Sequence, residues 1–315
     1  MNPIEGSELM PANAAHYLFA KMMIPKLKEI DSLLDTRSLY YGAQGPDIFF
    51  FHRVLPWMPG KSLHTVGSHI HHMSPAIIFQ TFADYWENQS HSAITRSYIY
   101  GFILHFALDR RAHLFINAEV NEIMKKEGIR YSESIIHNRI ETNLDTILIR
   151  DFLNIDGNQF QPWKNLTNDS NTLIEISNLL IYFFKNALHL EVTQAQMIHA
   201  LKDTSRILRL LTDKNGIKTK FFGIAEKLLP NQTPAVTTLI RQKNPDTKWD
   251  YANFKHTPIS YEYMNNSLQT DSFYDIIKKS EYDAQEIINN FLMALSDHRP
   301  MTSVVGNRNF CSQIL

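Results

Sequence analysis

Cysteine is nearly absent from this chain: Cys311 is the only one among 315 residues. A lone cysteine excludes an intrachain disulfide and a thiolate-built metal site. Charge of one sign is missing too, since 31 Lys and Arg face 32 Asp and Glu for a formal net charge of −1. No global basic field draws the chain to nucleic acid, so no extended nucleic-acid footprint is expected. Long apolar runs are also lacking. NLLIYFFKNALHL is interrupted by Lys185 and is too short to span a bilayer, so no transmembrane segment is expected. MNPIEGSELMPANAAH carries no basic n-region ahead of an apolar run and does not read as a signal peptide. The expectation is a cytoplasmic chain, or one exported by a route that needs no classical signal.

Alternating strand patterns of useful length and internal repeats are not found either, whereas helical periodicity dominates. Residues 12–35 read as a helix with a kink or break at Pro25. Residues 39–62, rich in Gly, Pro and aromatics, read as an irregular, partly buried loop. Pro75 opens a helix, residues 92–126 form a long one, and Ser132 or Ser134 caps another that runs to about 150. Residues 154–171 read as a packed loop around Phe160 and Trp163. Further helices are expected at 171–190, 193–213 and 271–296, with a loop-rich section between the last two at Pro230, Pro234, Pro245 and Pro258. The fold class is all-α, a single-domain helical bundle over residues 1–315.

What the chain has in excess is histidine. Of 14, nine fall in the first 113 residues. With almost no cysteine, imidazole and carboxylate are the remaining ligands for zinc. In GFILHFALDRRAH, His105, Asp109 and His113 sit at i, i+4 and i+8, on one face of the expected helix. Three ionisable groups in so apolar a helix are costly to bury without partners. Gly101 stands one step earlier on the same stripe, and a mid-helix glycine costs about 1 kcal/mol against alanine. Its expected use is to let another segment approach closely. HNRIETNLD repeats the spacing with His137 and Glu141, and i, i+4 pairs can converge on one ion. Upstream, Asp47 lies in GAQGPD, where the glycines can turn a loop inward. His16 lies on the apolar face of the first helix; alone it reads as a satisfied core histidine. HTVGSHIHH offers His64, His69, His71 and His72, most of them read as solvated.

AHYLFA, GAQGPDIFFFHRVLPW, GSHIHH, YIYGFILHFALDRRAH and HNRIETNLD, in that order, resemble the zinc-dependent phospholipase C family over about residues 13–145. SFYDIIKKSEYDAQEIINNF is compatible with that family's last helix. The resemblance implies an all-helical domain holding three zinc ions in a cleft, and two to three are expected in this chain. It assigns Asp47, a histidine of the 64–72 cluster, His105 and Asp109 to one ion, and His113, His137 and Glu141 to a second. A third would take His16, with Asp109 as a bridge. His71 is the chosen cluster ligand, since Gly67 and Ile70 precede it in a spacing similar to the family's; His64 and His69 stay open as alternatives. The chain departs from the secreted members in three ways. It begins Met-Asn-Pro instead of exposing the N-terminal Trp that completes their third site, Ile48 replaces the aromatic residue expected after Asp47, and Arg110 and Arg111 follow Asp109.

The implied activity is cleavage of the glycerol–phosphate bond of a phospholipid, phosphatidylcholine-like, at a membrane surface, releasing diacylglycerol and a phosphorylated headgroup. Zinc offsets the phosphate charge and acidifies a bound water, and Asp47 is the candidate catalytic residue that orients or deprotonates it. IFFFHRVLPWMPG beside Asp47 is a candidate lipid-contact loop, weighed evenly against plain core. Two alternatives stand: a zinc hydrolase of the same fold acting on single-stranded nucleic acid, and a non-catalytic helical protein that binds metal or a lipid surface.

Overall fold

In the computed structural model, the described residues are 13–55, 57–128, 131–228, 234, 236–261 and 267–314. The Met-Asn-Pro start and Pro230 lie outside them. Eleven helices are labelled in chain order. The first group is α1 (Asn13–Ile30), α2 (Thr36–Gly42), α3 (His64–His72), α4 (Pro75–Asn88), α5 (Ala93–Glu127) and α6 (Glu133–Leu153). The second is α7 (Ser170–Ala187), α8 (Gln194–Leu211), α9 (Ile217–Lys227), α10 (Phe273–Ser296) and α11 (Thr302–Val305). The expected all-α class is what the structure shows.

The long helix α5 is the axis of the molecule, and α1, α2, α6, α7 and α10 pack around it. Its N-cap Ser92 accepts the Thr95 amide, and Gly128 ends it at a positive φ of 75°. Apolar residues cover most of its circumference, as a helix surrounded by others requires. One buried apolar cluster runs from Ala14 in α1 to Phe310 near the C-terminus. α10 carries a capping box at Ser272 and Asp275. It is pinned to α5 where Asp283 accepts from Arg110 (2.7 Å) and Arg111 (2.7 and 2.8 Å). The two arginines after Asp109 therefore serve helix packing.

Several expectations need correction. α1 runs through Pro25 unbroken to Ile30. Residues 39–51 are not irregular: α2 is followed by a buried 3-10 turn, Gly45–Phe51. The loop-rich section after 213 contains α9, and a two-stranded hairpin pairs β1 (Ile259–Tyr261) antiparallel with β2 (Ser267–Gln269). The candidate lipid-contact loop is core through Ile48, Phe49, Phe50 and Phe51, all buried against α3 and α8; Trp57, 74% exposed, faces out beyond them. Among the described residues no helix is long and apolar enough to cross a membrane.

Candidate metal centre

Five separate elements deliver side chains to one buried place beside the middle of α5. α1 brings His16, the 3-10 turn brings Asp47, and α3 brings His71. α5 contributes His105, Asp109 and His113 from one stripe, and α6 contributes His137 and Glu141. All eight are buried. Three sets have ligand atoms within 4.8 Å of one another: His16, His105 and Asp109; Asp47, His71 and His105; and His113, His137 and Glu141. Every residue singled out from spacing or resemblance is brought in. The other histidines of the 64–72 cluster are elsewhere: His64 Nδ1 lies 2.8 Å from Phe50 O, His72 Nδ1 lies 2.8 Å from Ser68 O, and His69 is exposed.

Asp109 is the hub. Its Oδ1 lies 3.7 Å from His16 Nε2, and its Oδ2 lies 3.8 Å from His71 Nε2, 3.9 Å from His105 Nε2 and 3.4 Å from His113 Nδ1. Asp47 Oδ1 and His71 Nε2 stand 3.1 Å apart, as do His137 Nε2 and Glu141 Oε1. A tetrahedral ion about 2.0–2.2 Å from each ligand separates neighbouring ligand atoms by about 3.3–3.6 Å. The observed spacings between Nε2 and carboxylate oxygens, 3.1–3.9 Å, straddle that range.

The ring orientations have local causes. His105 Nδ1 lies 3.1 Å from Ala43 O, His71 Nδ1 lies 2.7 Å from Gly67 O, and His113 Nδ1 lies 3.2 Å from Phe310 O. A carbonyl can only accept, so each contact fixes the proton on Nδ1 and leaves the Nε2 lone pair for another partner. Histidines that ligate metals are held in this way. His105 also stacks on His16, ring centroids 4.1 Å apart. Gly45, at φ +53°, passes directly over the ring: a Cβ there would lie 2.3 Å from His105 Cδ2. Only glycine combines that backbone angle with that approach, and the turn it makes brings Asp47 inward.

Among the described residues, His16 Nδ1, His105 Nε2 and Asp109 Oδ2 are buried in this cluster without a hydrogen-bond partner, and Asp47 Oδ1 and His71 Nε2 have only each other, 3.1 Å apart. At about 1–3 kcal/mol each, the three without a partner would cost about 3–9 kcal/mol, a large share of the whole stability of a domain. The cavity bounded by His16, Asp109 and Glu141 is about 10 Å³, room for one water at most. One water there cannot satisfy atoms that lie on several sides of the cluster. A multivalent cation can, and the donor set, imidazole nitrogen with carboxylate oxygen, suits one.

Protonation agrees with that demand. Burial holds His16 down at about 4 and holds His105 and His113 well below the usual imidazole range, so all three keep a free lone pair. Burial also works against a charged His71, but contact with Asp47 and the charges of Asp47 and Asp109 outweigh it and carry it to about 9. Asp109 is pushed well above the carboxylate range by burial, while His71 pulls the other way and the charges of Asp47 and Glu141 push further. Metal cations placed among these groups would reverse the last two shifts.

Two contributors escaped the sequence reading. Asp145 continues the His137–Glu141 stripe by one more step of four. It accepts the amides of Ala14 (3.1 Å) and Ala15 (2.8 Å), and Arg241 Nη1 lies 3.3 Å from it. Asp145 thus seats the first turn of α1 and, with it, His16. The spacing of His137, Glu141 and Asp145 was the available signal. Phe310 packs its ring on His71 and His105, centroids 5.6 and 5.8 Å away, while its carbonyl holds His113. Nothing in the local sequence marks it. Comparison with protein-family models, with curated proteins and with solved structures gave no match for this chain.

Proposed function

We propose that this chain is a zinc-dependent phosphodiester hydrolase of the phospholipase C type, cleaving the glycerol–phosphate bond of a phospholipid. The observation that carries the reading is the hub at Asp109, which lies among imidazoles of α1, α3 and α5 beside the Asp47–His71 and His137–Glu141 pairs, in an otherwise apolar helical core. The ordered motifs from AHYLFA to HNRIETNLD supply the choice of reaction. His105 and Asp109 would join Asp47 and His71 at one ion, His113, His137 and Glu141 would hold a second, and His16 with Asp109 would form the third site.

Zinc in these sites would supply charge to the non-bridging phosphate oxygens and a water acidic enough to ionise near neutral pH. The residues of the chain do the rest. Ala43, Gly67 and Phe310 fix imidazole orientation through their carbonyls, and Asp145 fixes α1. Asp47 has one oxygen 3.1 Å from His71, and its other oxygen is the candidate to hold and take the proton of the attacking water. The near-neutral charge of the chain disfavours the nucleic-acid alternative.

The test is elemental analysis of the purified chain together with hydrolysis assays. Two to three zinc ions per chain and release of phosphocholine from a short-chain phosphatidylcholine are expected. Cleavage of single-stranded DNA in place of lipid would move the chain to the nuclease reading, and zinc without either activity would leave a metal-binding protein.

A further inference from the structure

α9 has its apolar residues on the outside. Ile217, Phe221, Ile224 and Leu228 are 66%, 66%, 64% and 82% exposed. At about 100° per residue these four positions fall within about 60° of one another, a single stripe along the helix. The one buried side chain of α9 is Glu226, a carboxylate on the opposite face. α9 is therefore not held to the molecule by apolar burial. Polar contacts fasten its inner face: Asp213 accepts the Lys218 and Thr219 amides at 3.2 and 2.8 Å. Lys218 Nζ reaches Leu210 O and Thr212 O at 2.7 and 2.8 Å, and Glu226 accepts the Val236 and Thr237 amides at 2.6 and 2.9 Å.

Charge along the same helix is sorted. Between 214 and 228 the only acid is Glu226, which is turned inward, and Lys218 is turned inward with it. The outward charges are Lys214, Lys220 and Lys227, all exposed. Lys220 and Lys227 flank one edge of the apolar stripe by their angular positions. An apolar stripe of Ile, Phe and Leu bordered only by lysine is the composition of a helix that lies in the headgroup layer of an anionic bilayer. A second copy of this chain, with a formal net charge of −1, offers no strongly acidic field to such lysines.

We propose that α9 is the membrane-docking element of this protein, inserting Ile217, Phe221, Ile224 and Leu228 among the acyl chains of an anionic lipid surface while Lys214, Lys220 and Lys227 face the headgroups. The inference rests on the lipid reading above only for the choice of a bilayer over a protein surface. Binding and hydrolysis are read separately, so the two can fail separately.

The experiment is flotation of the full, zinc-loaded chain with vesicles of phosphatidylcholine alone and of equimolar phosphatidylcholine and phosphatidylserine. Wild type is expected to bind the anionic vesicles at least about tenfold more tightly than the neutral ones, since each lysine at such a surface contributes about fivefold. The double variant Phe221→Asp, Ile224→Asp should lose at least about tenfold on both. Lys220→Glu, Lys227→Glu should lose most of the preference for anionic vesicles. Both variants alter exposed side chains and should keep wild-type zinc content, thermal stability and hydrolysis of a monomeric short-chain substrate. Vesicle binding unchanged in both variants overturns the proposal. So does a wild-type dimer that the aspartate variant converts to monomer, which would make the stripe an interface between copies. If no lipid is hydrolysed yet binding still depends on the stripe, the hydrolase reading falls and the docking helix stands.

Discussion

Gly101 of α5 and Leu39 of α2 meet without a side chain between them: a Cβ on Gly101 would stand 2.2 Å from the Leu39 carbonyl oxygen. The same atom would lie 2.7 Å from the Ala43 amide nitrogen. This close approach places the Ala43 carbonyl against His105 Nδ1, so a glycine four residues before His105 sets the orientation of that ring. Gly101→Ala should therefore destabilise the protein by about 1–3 kcal/mol, the usual cost of overpacking, even though alanine favours helix by about 1 kcal/mol. It should also lower zinc occupancy. Gly223→Ala is the control, because the nearest atom to its Cβ is Thr237 Cγ2 at 3.9 Å. That change should raise stability by up to about 1 kcal/mol. Thermal unfolding and metal content of the two variants decide the matter, and equal shifts would refute the packing account.

Asp109 touches four imidazoles and His16 touches the hub at one. Asp109→Ala should lose more zinc than His16→Ala. With zinc present it should be the less stable variant, since ligands left without their cation lose its binding energy as folding energy. In excess chelator the order against wild type should reverse. Burial already pushes the Asp109 carboxyl well above its ordinary range, so removing it relieves a cost that only a cation offsets. Melting curves with zinc and with chelator make the comparison; a wild type that stays more stable than Asp109→Ala in chelator counts against the hub.

The site was more legible than its surroundings, for a physical reason. Ligands at i, i+4 on one helix must share a face, so His105, Asp109, His113, His137 and Glu141 could be grouped before any fold was known. Asp145 was available by the same spacing and was passed over. Ala43, Gly67 and Phe310 were not available, because they act through backbone carbonyls and a carbonyl leaves no mark in a sequence. The run from Ile48 to Phe51 shows the limit of composition: aromatic residues beside a polar site are equally suited to lipid and to core. Here the 3-10 turn threads them inward between α3 and α8. α9 falls in the section that Pro230, Pro234, Pro245 and Pro258 mark as loop-rich, and those prolines all lie beyond its end. What holds α9 is Asp213 and Glu226 bonding to backbone amides, which hydrophobic periodicity does not report.

Glu119, on the last third of α5, is part-buried with Lys126, Asp250 and Glu122 near it, and burial, more than the two acids, raises its carboxyl to about 7. A carboxyl raised on folding stabilises the native state fully below its unfolded value, and that stability is lost as pH climbs through the folded value. For Glu119 the window runs from about 4.5 to 7, and the loss is on the order of 1–3 kcal/mol after allowing for its partial exposure. Glu119→Gln should be more stable than wild type at pH 8 and closely similar at pH 4.5. Urea unfolding at the two pH values reads the difference. A variant equally stabilised at both would show that charge on Glu119 is not the cause.

Asp47 is expected to matter for turnover beyond its share in holding zinc. It reaches the cluster from a 3-10 turn stiffened by Pro46 and passed over His105 by Gly45, so its carboxyl is placed by backbone and survives an isosteric change. Asp47→Asn keeps an oxygen able to ligate, and most of the metal should remain. An amide cannot take a proton, and loss of a general base costs about 100- to 10,000-fold in rate. The effect should fall on kcat more than on KM, because nothing that grips the lipid has been removed. Vesicle binding through α9 should be unchanged, since the stripe is a separate surface. Hydrolysis of a short-chain phospholipid by wild type and variant at matched zinc content is the measurement. Activity within a few-fold of wild type at full occupancy would take Asp47 out of proton transfer and leave it a ligand alone.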